Sequence, residues 1–161
     1  MSVAEIFGAY SKIYATPPNE RFYTRIATAL AEKVRTRTRP AHILEVGAGT
    51  GAATLVLRRY FPSAEILATD PSPPMLAQNR EKGLSGVRYA LLAAEGLCNL
   101  TERFDLIFGN ACYHWFTPGT ARRLAPLLRP SGVMAFSVPV TGATHADGNK
   151  VLLRICRELS V

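Results

Sequence analysis

His42-Ile43-Leu44-Glu45-Val46-Gly47-Ala48-Gly49-Thr50-Gly51 decides how this chain reads. An apolar run with the character of a buried strand delivers an acidic residue and then three glycines in five positions. Glycine lets a ligand lie against bare backbone, because no Cβ holds it off. A Gly-rich turn between the first strand and first helix of an α/β unit is where nucleoside cofactors bind. Gly47-x-Gly49-x-x-Ala52 also fits the looser dinucleotide fingerprint, so this stretch alone leaves the cofactor open.

Downstream of the loop, apolar runs alternate with helical patterns. Strands are expected at His42–Val46, Glu65–Asp70, Val87–Leu92, Leu106–Asn110 and Val133–Val138, and helices at Gly51–Tyr60, Pro73–Arg80 and Pro118–Leu128. That alternation implies a parallel sheet covered on both faces. Two helical patterns come earlier. Val3 to Tyr14 is short, and from Glu20 onward Phe22, Ile26, Leu30 and Val34 recur every fourth residue. Pro17-Pro18 separates them, with Asn19 as an N-cap. Lys33-Val34-Arg35-Thr36-Arg37-Thr38-Arg39-Pro40 reads as a linker-like basic run before the first strand. At the far end, Val151, Leu152, Ile155 and Leu159 could share one helical face.

Asp70 follows Gly51 by 19 residues and ends the second expected strand. A carboxylate at that place can accept hydrogen bonds from both hydroxyls of a ribose. Helix capping is its plainer role, but Ser72, ahead of Pro73, is better placed to cap.

The chain as a whole narrows the classes. Its 161 residues suffice for one domain, and 48% hydrophobic with 19% charged residues fits a soluble globular protein. No apolar run approaches the ~20 residues needed to span a bilayer. Cys98, Cys112 and Cys156 are widely spaced and odd in number, which forms no zinc or disulfide framework and points to a reducing, cytoplasmic setting. The net charge of +7 sits largely in the basic run, and no zinc finger, basic heptad or aromatic–basic pattern supports nucleic acid as a partner. No metal-ligand cluster or Ser/His/Asp arrangement is visible in the sequence.

Four motifs in order carry a resemblance: Ile43 to Gly51; Pro62-Ser63-Ala64 through Asp70-Pro71-Ser72-Pro73-Pro74-Met75-Leu76; Phe104 through Asn110-Ala111-Cys112-Tyr113-His114-Trp115; and Leu128-Arg129-Pro130-Ser131-Gly132-Val133. With them the chain resembles the class I S-adenosylmethionine-dependent methyltransferases. It is most similar to the group that contains trans-aconitate methyltransferase and the malonyl-carrier-protein methyltransferase of biotin synthesis. Phe7 to Tyr14 is similar to the N-terminal helix that folds over the cofactor in that group. The Asp-x-Ser-x-x-Met-Leu pattern and the Asn-to-Trp motif weigh against an NAD-dependent oxidoreductase.

The resemblance implies a Rossmann-like, doubly wound parallel sheet in the order 3-2-1-4-5. Residues 1–161 form one domain, with an N-terminal helical segment over 1–40, a cofactor-binding core over 41–140 and a short C-terminal segment over 141–161. It implies S-adenosylmethionine as cofactor. Glu45, Gly47, Ala48, Gly49 and Gly51 would hold its methionine part, Asp70 its ribose, and Pro71, Ala94 and Glu95 would border the adenine. The family often carries Asp where this chain has Ala93, which leaves adenine recognition here to backbone groups. Asn110 would present its side chain and carbonyl to the methionine amino group. His114 would orient an anionic substrate or move a proton, although a structural histidine fits the sequence equally well.

The expected activity is methyl transfer to a small or carrier-bound acid, with O-methylation of a carboxylate first. The alternative is a cofactor-binding module without turnover. Nucleic-acid amino-methylating enzymes place two prolines where Ala111 and Cys112 stand, which argues against that acceptor class. The family's antiparallel C-terminal strand hairpin has no sequence left to form it. The outer edge of Val133–Val138 should therefore be open, inviting self-association or a covering helix near Asn149–Leu159.

Overall fold

The computed structural model describes residues 2–138 and Arg154–Ile155. Its order is α1 (Val3–Tyr14), α2 (Pro17–Arg35), β1 (His42–Val46), α3 (Ala52–Tyr60), β2 (Glu65–Asp70), α4 (Pro73–Glu81), β3 (Val87–Leu91), β4 (Phe104–Gly109), α5 (Thr120–Leu124), β5 (Leu128–Phe136) and β6 (Arg154–Ile155), with a 3-10 segment over Ala94–Asn99. The sheet runs β3-β2-β1-β4-β5-β6, and its first five strands are parallel. The expected 3-2-1-4-5 order is therefore present, with β6 added antiparallel at the edge.

Alternation along the strands divides the core between two faces. Ile43, Ile66, Leu106 and Phe108 pack toward α2 and α3, against Leu30, Val34, Val56 and Leu57. Leu44, Leu67, Ile107 and Met134 pack on the opposite side with Leu97, Leu124 and Leu127. All four residues after His42 in β1 are buried, as a central strand of a doubly wound sheet requires.

Several local expectations are corrected. The N-cap of α2 is Thr16, with Pro17 at its first turn, where a missing N–H costs nothing. Asn19 instead donates its side-chain amide to the carbonyl of Ile13, linking the two helices. The buried stripe of α2 is Ala27, Leu30, Ala31 and Val34, while Phe22 is exposed. A strict four-residue spacing drifts around a helix of 3.6 residues per turn, which carries Phe22 off the packed face. The basic run is not all linker, because α2 continues to Arg35. Val34 is fully buried there, and Lys33 and Arg35 complement the helix C-terminus.

Strand β5 begins earlier than Val133. Phe104 pairs with Leu128 and Leu106 with Val133, so Pro130, Ser131 and Gly132 form an irregularity inside the strand, with Ser131 at φ +65°. The helix before it is shorter than expected, since Ala125–Leu127 is 3-10. At the C-terminal edge, Ala135 pairs with Ile155 and Phe136 with Arg154. A strand therefore stands at two positions where a helical face was expected, because the edge of β5 offers unpaired backbone groups that an extended segment can satisfy. The rest of that expected helix lies outside the described residues. Among the described residues no helix is long and apolar enough to cross a membrane.

One carboxylate ties the strand entrances together. Asp105 accepts from the N–H groups of Ala41 and His42 at 2.9 Å each and from the Arg129 guanidinium at 3.2 Å. Partial burial works against its charge, but the two backbone donors and Arg129 outweigh that and hold its pKa below the usual carboxylate value. Such a group adds stability that is present above the ordinary carboxylate pKa and is lost as pH falls through its lowered native value. Asp105→Ala should cost about 1.5–3 kcal/mol at pH 7. The deficit should shrink on acidification, as denaturant unfolding at a series of pH values would show.

Candidate functional site

The loop after β1 is held open by backbone geometry. Gly47 and Gly49 sit at φ +69° and +54°, in the left-handed region that side chains resist. A Cβ on Gly47 would come within 2.8 Å of the Cys112 Cβ, so that glycine is needed for β1 and the segment after β4 to meet. A Cβ on Gly49 would meet nothing within 4 Å. Its bare face is part of the lining of a cavity of about 1170 Å³ at the carboxyl ends of the strands.

Asp70 fixes the tip of the loop. One carboxylate oxygen accepts from the Gly49 N–H and the other from the Ser72 N–H, both at 2.9 Å. The residue is 8% exposed and lines the cavity. Burial raises its pKa, with the two backbone donors opposing the rise. Ser72 is the N-cap of α4 by position, yet its side chain makes no cap bond and its buried Oγ has no partner.

The site residues expected from sequence separate into two layers. Gly47, Ala48, Gly49, Asp70, Pro71, Ala94, Glu95, Asn110 and His114 all line the cavity. Glu45, at the foot of the loop, and Gly51, its last residue, are not in that lining. Glu45 is 1% exposed and neither carboxylate oxygen has a hydrogen-bond partner. Burial pushes its pKa up to about 8, with the neighbouring Thr54 hydroxyl pulling downward and the Asp70 charge adding to the rise.

Asn110 follows β4, which ends at Gly109 rather than at Asn110 as expected, and its side chain is already engaged. It donates to the Tyr23 carbonyl at 3.0 Å and accepts from the Ser137 hydroxyl at 2.9 Å, while Ser137 Oγ accepts from the Ala111 N–H at 2.8 Å. These bonds hold Ala111 at φ +53° and turn the chain toward His114. Glu95 accepts from the Thr117 N–H and hydroxyl. His114 has its pKa lowered by partial burial, which favours the neutral imidazole at pH 7. Among the described residues no group of three or more His, Cys, Asp or Glu could hold a metal ion.

An aromatic roof was not anticipated as a unit. Phe7 meets Trp115 edge-on with centroids 5.2 Å apart and Tyr14 at 5.5 Å, and Tyr14 stacks on Tyr23 at 5.4 Å. All four line the cavity. Phe7 and Tyr14, seven positions apart on one short helix, are the sequence signal that could have revealed it. Helix α1 begins with a capping box in which Ser2 and Glu5 exchange side-chain and backbone bonds, and at Gly8 it passes close to Ser72 and Pro74.

The buried acid carries a pH signature. An acid whose native pKa is raised makes folding progressively less favourable as pH climbs from its ordinary value of 4.5 to about 8. Glu45→Gln removes the charge and keeps the shape. It should leave the thermal midpoint nearly unchanged at pH 4 and raise it at pH 8, measured by circular dichroism melts in the absence of ligand.

Comparison with known proteins places this arrangement. The family model described as a methyltransferase domain matches residues 43–132, more than half of the chain. Over 98 residues the chain is 39% identical to a malonyl-[acyl-carrier protein] O-methyltransferase of Acetivibrio thermocellus, covering 59% of this chain and 34% of that protein. Over 116 residues it is 37% identical to a trans-aconitate 2-methyltransferase of Deinococcus radiodurans, covering 70% of this chain and 42% of the relative. The chain thus spans less than half the length of these two curated relatives. Among solved structures, the DhpI–SAH complex superposes with a TM-score of 0.67 at 23% identity, covering 85% of this chain and 67% of that one. SAM-bound CalS10, an amino pentose methyltransferase from Micromonospora echinaspora, gives 0.63 at 21%, covering 83% and 56%. At these identities the structures speak for the fold. The chain belongs to the methyltransferase-domain family, among the class I S-adenosylmethionine-dependent members related to the trans-aconitate and malonyl-carrier-protein methyltransferases.

Proposed function

We propose that the cavity binds S-adenosylmethionine and that the protein transfers its methyl group to an acid, forming a carboxylate ester. The observation that carries this reading is the Gly49–Asp70 hydrogen bond between two residues that line the cavity. It joins a bare backbone face to a carboxylate that retains lone pairs for two ribose hydroxyls.

The chain's own groups divide the work. Gly47 to Gly49 offer backbone to the methionine part, and the buried Glu45 and Asp70 are acids whose carboxylate forms a cationic ligand would favour. Pro71, Ala94 and Glu95 border the adenine end, with Ala93 leaving its amino group to backbone acceptors. The Asn110 amide is occupied by Tyr23 and Ser137, so we assign contact with the methionine amino group to its backbone carbonyl.

S-adenosylmethionine supplies a methyl group already activated on a sulfonium, so the protein's task is alignment and exclusion of water. Phe7, Tyr14, Tyr23 and Trp115 provide that exclusion. A carboxylate acceptor is ionised at neutral pH and needs no general base, which suits a neutral His114 acting to orient rather than to take a proton. The names of the relatives favour an acidic acceptor, either free or carried on a carrier protein.

Two variants test the cofactor assignment. Asp70→Ala should weaken S-adenosylmethionine by roughly 1.5–3 kcal/mol, the scale for hydrogen bonds to a charged group. Gly49→Val should abolish binding, because its branches would fill the open space above the loop. Isothermal calorimetry reads both, and unchanged affinity in folded Asp70→Ala would remove the ribose assignment. Transfer of labelled methyl to a panel of carboxylates, amines and hydroxyl acceptors tests the chemistry. Base-labile product from carboxylates is expected, and label appearing only on amines would overturn the ester.

A further inference from the structure

We propose that Asn79 is a positioning residue for the cofactor loop: its amide wedges beneath Gly51 and turns the Thr54 hydroxyl toward Glu45, holding loop and buried acid in one arrangement for the ligand. This rests on the S-adenosylmethionine reading above.

Asn79 is fully buried in α4, on the helix that follows Asp70. Its Nδ2 donates to Thr54 Oγ1 at 2.8 Å. Thr54, also fully buried, stands in the first turn of α3 beside the Glu45 carboxylate. With an acceptor position of its hydroxyl taken by Asn79, Thr54 has its one hydrogen left to give, and Glu45 is the neighbouring acceptor that lacks a donor. Asn79 thus donates to Thr54, and the free Thr54 hydrogen is the donor available to Glu45.

The other half of the amide acts on the loop. A Cβ on Gly51 would meet Asn79 Oδ1 first, then Asn79 Cγ at 2.7 Å and Lys82 Cε at 2.9 Å. Gly51, at φ +93°, is both the last residue of the loop and the N-cap of α3. The Asn79 amide thus fills the place that a side chain would take and sets how far the loop can settle onto α4. Oδ1 is buried without a hydrogen-bond partner, an arrangement that a purely structural helix position would replace with an apolar side chain.

A role through Glu45 has a signature that simple packing lacks. Glu45 is faced by Asp70 of β2, Tyr89 of β3, Cys112 after β4 and Thr54 of α3. Lys82, the C-cap of α4, reaches over Gly51, with its ammonium paired to Glu20 of α2. Thr54 is the member of this set whose hydroxyl hydrogen is free to turn to the carboxyl, since Tyr89 donates to the Asn79 carbonyl and Cys112 to that of Val46. Without an oriented hydroxyl, the carboxylate form becomes harder to reach, and binding of a cationic ligand should move to higher pH.

The test is calorimetric titration of the whole chain with S-adenosylmethionine across pH, for wild type, Asn79→Ala, Thr54→Val and the double variant, with thermal midpoints measured alongside. Thr54→Val keeps the shape of the buried site and covers the case in which Asn79→Ala fails to fold. The proposal expects each single variant to bind about tenfold more weakly at pH 7. It also expects their pH profiles to shift to higher pH and the double variant to bind no worse than the weaker single. Folded variants with lower thermal midpoints but wild-type affinity and pH profile would reduce Asn79 to packing and overturn it, as would additive losses. Absence of wild-type binding would instead remove the cofactor reading itself. The ligand's own amine titrates identically in all four titrations, so the comparison between variants isolates the protein.

Discussion

The Asp70 carboxylate gripping the Gly49 N–H is the constraint on which the site depends. It fastens the tip of a glycine loop to the end of the neighbouring strand, and the parallel pairing of β1 with β2 brings the two ends level. The Ala48 N–H reinforces the same join by donating to the Thr69 carbonyl at 2.9 Å. Because β4 lies on the other side of β1, the crevice opens at the point where the strand order reverses. Everything that lines it, from Asn110 to the aromatic roof, is arranged around that fixed edge.

The same region is where the fold accepts unfavourable electrostatics. Glu45 and Asp70 are both buried close to one another, and burial raises the pKa of each. An apolar pair at these positions would pack more comfortably. Retention of two acids beneath a loop that offers its bare backbone to the cavity makes sense when a positively charged ligand completes the balance. Stability and binding then pull in opposite directions at one residue, which is the usual condition of a functional site.

Much of this was legible in the sequence because the signals were local. The strand at His42–Val46 and the loop glycines each depend on a few adjacent residues, and the spacing from Gly51 to Asp70 needs only one helix and one strand between them. What escaped was set by tertiary contact. Asn110 had the right place, but its amide is committed to Tyr23 and Ser137, elements that fold in from opposite ends of the described chain. Phe22 falls off the packed stripe because a four-residue spacing departs from the helical period that sets that stripe. The early start of strand β5 is set by pairing of Leu128 with Phe104 across the Pro130-Ser131-Gly132 irregularity, a contact that the apolar run from Val133 does not contain. Asn79 carries no signal in the sequence, since an asparagine on a helix is ordinary until its neighbours are known.

The most direct measurement is a crystal structure of this chain grown with S-adenosylhomocysteine. The account predicts both ribose hydroxyls on the Asp70 carboxylate, the homocysteine along Gly47–Gly49 and the adenine between Pro71 and the Ala94–Glu95 segment. A ligand seated elsewhere, or a ribose turned away from Asp70 with the Gly49–Asp70 bond intact, would contradict it.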